Sequence, residues 1–96
     1  MRNINDLTTW EEYEKKLFKR KGFKELVKKN EPKYQLVISL IRARIKKNLS
    51  QKELARRIGS KQPVISRLEN MESYPTLSLL KRISEALGTK LHVYFQ

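Results

Sequence analysis

Residues 50–70 read SQKELARRIGSKQPVISRLEN, and this stretch decides the fold. Ser50 with Glu53 three places on forms a capping box, which predicts a helix start. Leu54, Ala55 and Ile58 give that helix one apolar stripe. Gly59 supplies the permissive backbone that a tight turn needs. Just beyond it, Val64, Ile65 and Leu68 open a second apolar pattern. Two short helices joined by a short turn containing Gly make a helix-turn-helix.

Upstream, Tyr34, Val37, Ile38, Ile41 and Ile45 keep helical spacing, so the first helix of the domain is expected over residues ~33–47. Leu36 and Leu40 lie off that stripe and are placed to receive the preceding segment. Arg44 leans toward the buried face, being three residues after Ile41 and seven after Val37. A buried Arg without a paired acid is strongly destabilising, and Glu69 is the nominated partner. Downstream, residues 70–75 read as a loop. Thr76 then caps a fourth helix carrying Leu77, Leu80, Ile83 and Leu87, closed by Gly88. Leu91, Val93 and Phe95 alternate with Lys90, His92, Tyr94 and Gln96, the pattern of a short half-buried β-strand. Nothing else in the sequence resembles a strand. An equivalent strand from a second copy would pair with it, which makes residues 89–96 a candidate dimer contact. His92 falls on the polar side and reads as a surface residue.

The first 32 residues form an arm. Thr8 with Glu11, or Thr9 with Glu12, is a capping box that starts a helix near Trp10. Trp10, Tyr13 and Leu17 share one face, with Phe18 beside them. Four acids (Asp6, Glu11, Glu12, Glu14) precede a basic run, Lys15, Lys16, Lys19, Arg20 and Lys21. Gly22 ends or bends the helix, and Phe23, Leu26 and Val27 begin another short amphipathic piece. Two roles are open for this arm. Its aromatic residues either thatch the core of the following domain or dock a second protein, since large aromatic anchors are enriched at interface centres. The expected fold class is therefore all-α: a four-helix helix-turn-helix domain (residues 33–88), an N-terminal helical arm (1–32) and a short C-terminal β-strand (89–96).

Ninety-six residues with 39% hydrophobic content support one core. No apolar run approaches the ~20 residues of a membrane helix, and MRNINDLTTW lacks the apolar segment of a signal peptide, which points to the cytoplasm. The absence of Cys excludes disulfides and thiolate metal sites, and one His builds no zinc site alone. No cofactor is expected. With no metal constellation, no nucleophile beside a positioned base and no Gly-rich phosphate loop, the chain does not read as an enzyme. The net charge of +12 points to a polyanion partner, because neutralising phosphates releases counterions. Residues 36–96 carry twelve bases against four acids, and residues 1–35 carry ten against six.

Helix-turn-helix proteins place the N-terminal residues of the second helix against base edges in the major groove of double-stranded DNA. Here those are Lys61, Gln62, Pro63, Ser66 and Arg67. Gln pairs bidentately with adenine, and Arg or Lys with guanine, so Gln62 and Arg67 are the leading base readers. Lys61 can reach base or phosphate, and Ser66 either base. Pro63 is tolerable in a first helical turn and favours the first position, which puts Gln62 at the cap, although Ser60 is the better cap by chemistry. Gln51, at a helix start, is a candidate phosphate contact. Asn70, Tyr74 and Thr76 are candidates from the following loop. For Gln51 and Asn70 the alternative is local capping.

Residues ~36–88 resemble the Cro/repressor-type helix-turn-helix family. The resemblance is carried by Ile41-Arg42-Ala43-Arg44, the run from Leu49 to Ala55, Gly59, Gln62, the run from Ile65 to Asn70, Pro75-Thr76-Leu77 and Ala86-Leu87-Gly88. It implies that Gln51 contacts phosphate and braces the first recognition residue, and that Arg44 pairs with Glu69. The sequence departs from the family at Met71, where Gly is usual, and at Lys61, where a small cap is common. The whole chain is similar to the HigA-like antitoxins of bacterial toxin–antitoxin modules, through its arm, its domain and the segment after Leu87-Gly88. That likeness implies a homodimer that represses its own operon at a palindromic operator and neutralises a basic RelE/HigB-like ribonuclease toxin. The acidic cluster suits such a toxin, and the basic run beside it does not. Trp10, Glu11, Tyr13, Glu14 and Leu17 are the candidate toxin contacts. The competing expectation is a stand-alone phage- or regulator-type repressor whose arm only completes the fold.

Overall fold

The computed structural model describes residues 9–20, 22–29 and 31–96. Six helices follow in order: α1 (Trp10–Phe18), α2 (Phe23–Lys28), α3 (Pro32–Lys46), α4 (Gln51–Arg57), α5 (Gln62–Glu69) and α6 (Leu77–Ala86). Of the two capping alternatives for α1, Thr9 is realised, its hydroxyl accepting from the Glu12 N–H at 3.2 Å. Thr8 and Asp6 lie outside the described residues.

The helix-turn-helix is α4 and α5. Its start is a reciprocal box in which the Ser50 hydroxyl accepts from Glu53 N–H (3.0 Å) and a Glu53 carboxylate oxygen accepts from Ser50 N–H (3.2 Å). Those two Ser50 contacts hold the Glu53 carboxyl below its usual range. Gly59 takes φ +69, a left-handed conformation that lets the Ser60 N–H reach back to the Ala55 carbonyl at 2.8 Å. The start of α5 differs from both sequence alternatives: Lys61, extended, is the cap and offers no side-chain hydrogen bond. Pro63 is the second helical residue, where a missing N–H is harmless. The Thr76 hydroxyl caps α6 by accepting from the Leu79 N–H at 3.0 Å. Arg82 of α6 donates to the Ile58 carbonyl (2.8 Å), tying that helix to the end of α4.

Two apolar clusters hold these elements. One joins Leu40 of α3 to Leu54, Ile65, Leu68, Ile83 and Leu87. The other joins Tyr13, Leu17 and Phe23 of the arm to Val37, Ile41 and Ile45 of α3. The assignment of faces on α3 is thus the reverse of the expected one. The Val37-Ile41-Ile45 stripe receives the arm, while Leu40 and Ala43 face the helix-turn-helix. A helix apolar on two sides carries no periodic signal that says which neighbour lies where.

The expected C-terminal β-strand is not formed, and no strand forms among the described residues. Leu91 is half-buried, whereas Val93, Tyr94 and Phe95 are exposed. Alternation alone does not make a strand: its N–H and C=O groups need a neighbouring backbone, and the described residues present none there.

Candidate nucleic-acid interface

The interface is built on a buried polar network. The Arg44 guanidinium grips Glu69 bidentately, Nε to Oε2 at 2.7 Å and Nη2 to Oε1 at 2.9 Å. Its Nη1 donates to the Leu49 carbonyl at 2.7 Å. Arg44 and Glu69 are both fully buried. The pair therefore fixes α3, the corner before α4, and the end of α5 in one geometry. Gln51 joins it, Nε2 donating to Glu69 Oε1 at 2.8 Å. Sequence reasoning placed Gln51 at a phosphate; its side chain is instead only 1% exposed and turned inward, because Glu69 still has acceptor capacity that an amide can fill. The Gln51 Oε1 has no hydrogen-bond partner among the described residues.

Tyr13 reaches the same network from the arm. Its hydroxyl is buried beside Glu69 but outside good hydrogen-bond geometry. Burial first, and the Glu69 carboxylate second, push Tyr13 from 10.0 up to about 12. An acid raised in this way adds stability below its unfolded pKa and loses it as pH rises through the folded one. Between pH 10.0 and about 12, the wild type should therefore lose stability relative to Tyr13→Phe. Two units correspond to ~2–3 kcal/mol of relative loss. Thermal melts of both proteins across that window check it; parallel curves would contradict the burial.

On α5, Ile65, Leu68 and Glu69 face inward. Gln62, Ser66 and Asn70 then fall on one outer row at four-residue spacing, and Pro63 and Arg67 on the next. Lys61, Pro63 and Arg67 are exposed, and Gln62, Ser66 and Asn70 half-buried. The base-reading candidates thus share one outward surface. Asn70 joins that surface rather than standing apart in the loop, and its amide faces the Ser66 hydroxyl at 3.5 Å. Tyr74 is 80% exposed, with the Lys33 ammonium 4.0 Å over its ring. Lys33 also donates to the Met71 carbonyl at 2.8 Å. Met71 takes φ +63, the left-handed turn that the departure from Gly put in question. The Thr76 hydroxyl, accepting from Leu79, keeps its proton for another acceptor.

Lys52 and Arg56 were missed by sequence reasoning. They line an open cleft between α4 and the start of α5 together with Ser60, Lys61 and Gln62. Their four-residue spacing on a helix whose opposite face is apolar was the available signal. No group of three or more metal-ligating side chains gathers among the described residues, and none of their helices is long and apolar enough to cross a membrane.

The arm candidates divide. Tyr13 and Leu17 are each 1% exposed and pack on α3, so these two are core residues and not a docking face, a correction that follows from their spacing matching the Val37-Ile41-Ile45 stripe. Glu11 is exposed, and Trp10 and Glu14 are half-buried. Trp10 stacks on Tyr13 with centroids 6.5 Å apart, and the Arg42 guanidinium lies 4.8 Å over its ring.

A family profile described as helix-turn-helix matches residues 40–93. An uncharacterised HTH-type transcriptional regulator of Haemophilus influenzae is 31% identical over 94 residues, covering 97% of this chain and 92% of that protein. Antitoxin HigA1 of Mycobacterium tuberculosis, in two strains, is 38% identical over 75 residues. That match covers 78% of this chain but only half of the antitoxin's length. No solved structure gives a significant match. The matched segment contains α4, α5, α6 and the buried Arg44–Glu69 pair, and the chain belongs to the Cro/repressor-type helix-turn-helix family of DNA-binding regulators.

Proposed function

We propose that this chain is an antitoxin. It reads a palindromic operator of its own operon through α5 and neutralises a RelE/HigB-like ribonuclease through the outer side of its arm. The likeness to HigA1 over 75 residues carries this reading. Lys61, Gln62, Ser66 and Arg67 read bases, while Asn70, Tyr74 and Thr76 sit at phosphates. Trp10, Glu11 and Glu14 are what the arm leaves for a basic toxin. The chain acts in the cytoplasm as a homodimer, for which the exposed Val93, Tyr94 and Phe95 offer contact surface, and its two α5 helices lie about 34–36 Å apart to meet successive major grooves.

The second reading, a repressor with no toxin, is favoured by the burial of Tyr13 and Leu17, which gives the arm a complete structural role. Co-expression with the product of a neighbouring gene for a small basic protein decides between them. Failure to co-purify removes the antitoxin half and leaves the repressor. For the DNA half, Gln62→Ala and Arg67→Ala should each relax base preference by ~1–3 kcal/mol at one operator position. Wild-type affinity should also fall steeply with salt. Unaltered sequence preference in both variants would refute the assignment of α5.

A further inference from the structure

The loop that joins α5 to α6 begins at a residue in an unusual conformation and is held from outside by one side chain. Met71 N–H donates to the Leu68 carbonyl at 3.1 Å and Glu72 N–H to the Arg67 carbonyl at 2.9 Å. These paired bonds end a helix through a left-handed residue. Met71 is that residue, at φ +63, a conformation that an L side chain keeps only where its surroundings fix it. Two contacts do so. The Met71 side chain packs against the cluster of the arm and α3. Its carbonyl accepts from the Lys33 ammonium at 2.8 Å, across 38 residues of chain. The same ammonium lies 4.0 Å over the ring of Tyr74, which is 80% exposed. Lys33 is the second residue of α3 and half-buried.

We propose that Lys33 is a positioning residue for DNA binding: anchored on the Met71 carbonyl, its ammonium holds the Tyr74 ring so that the phenol hydroxyl is set for a backbone phosphate. The inference rests on the DNA-binding reading above and deepens it at the loop end of the interface. An exposed ring samples several rotamers, and fixing one before binding removes that ordering cost from the complex. A cation over the face of Tyr fixes it, because the ring quadrupole attracts the charge. The carbonyl matters because it immobilises the cation, whose long side chain would otherwise have to be ordered as well. One of the three ammonium donors is taken by Met71 and the ring covers another side, so the outermost group of the clasp is Tyr74. Tyr34, the next residue, meets Phe23 of the arm edge-on at 4.9 Å. The clasp thus joins the loop to the part of α3 that the arm covers.

The test is a double-mutant cycle on the full chain, with duplex DNA from directly upstream of its own coding sequence as the probe. Tyr74→Phe keeps the ring under the ammonium and removes only the hydroxyl. Lys33→Met should weaken binding about two- to fivefold more in the wild-type background than with Tyr74→Phe, the worth of an exposed cation–π contact. Lys33→Arg, which also stacks on a ring and donates to a carbonyl, should restore affinity to within about twofold. Equal losses from Lys33→Met in both backgrounds would show a merely structural lysine and overturn the proposal. The slope of log affinity against log salt should be unchanged by Lys33→Met, because the contact it positions is uncharged. A slope smaller by about one would make Lys33 itself the phosphate contact, and would equally overturn it. In the free protein, the Lys33 ε-methylene protons should resonate upfield of their position in Tyr74→Leu; coincident positions would refute the clasp. Should the wild type bind no DNA, the function reading fails and takes the positioning role with it, whereas DNA binding without coupling removes the positioning role alone.

Discussion

Glu69→Gln should lower the stability of the free protein by ~3–5 kcal/mol, because it leaves the Arg44 guanidinium charged, buried and without its anion. For a domain of this size that corresponds to a fall of roughly 15–30 °C in melting temperature. The size follows from isolation. Arg44 and Glu69 have no solvent exposure, and the remaining guanidinium contact is a single carbonyl, that of Leu49. A Gln at 69 can still accept hydrogen bonds but cannot balance the charge. The companion experiment separates the loss of a partner from the net worth of the pair. Arg44→Met combined with Glu69→Leu should recover most of the loss, since apolar replacement of both members of a buried pair is commonly near neutral. A double variant as unstable as Glu69→Gln would show that geometry, not the orphaned charge, sets the cost. Calorimetric or fluorescence melts suffice.

Leu17→Ala should cost ~2–5 kcal/mol, the range for truncating a buried Leu. Leu17 is 1% exposed within the cluster that also holds Ile41 and Ile45, so a cavity there opens at the middle of α3. The informative part is the shape of the transition. If the arm is part of one cooperative unit, the entire helical signal melts earlier in a single step. If the arm is only tethered, the helix-turn-helix melts at its original temperature after an early minor transition. The structure favours the first, because Tyr13, Leu17 and Phe23 of the arm share one buried cluster with Val37, Ile41 and Ile45 of α3. Glu11→Lys, on the exposed side of α1, should lower stability by at most the ~1 kcal/mol that a first-turn acid contributes, so a large effect on partner capture is attributable to the surface.

The helix-turn-helix was legible from sequence because its signals are local. A capping box, a Gly in a left-handed turn and two apolar stripes each span a few residues and were found as expected in α4 and α5. The Arg44–Glu69 pair was legible because an Arg on an apolar face must find an anion. What failed was what depends on neighbours. The faces of α3 were exchanged because Leu40 and Ile41 are equally apolar, and only packing assigns one to the domain and the other to the arm. Whether Tyr13 and Leu17 thatch the core or form a docking face stayed open for the same reason, and packing assigns them to the core. Gln51 pointed inward because a distant Glu69 had room to accept, which no local pattern records. The C-terminal alternation was real, but a strand is a property of two backbones.

The two-sided packing of α3 bears on how separable the parts of this protein are. Val37, Ile41 and Ile45 are each buried to within 4% by the arm side, and Leu40 to within 6% by the other. Arm and reader are therefore not interchangeable cassettes. A chimera that grafts a foreign arm onto this domain inherits a demand for side chains that interlock with that stripe, and an arm with the right partner specificity but the wrong underside would leave an oily strip open to water and aggregation.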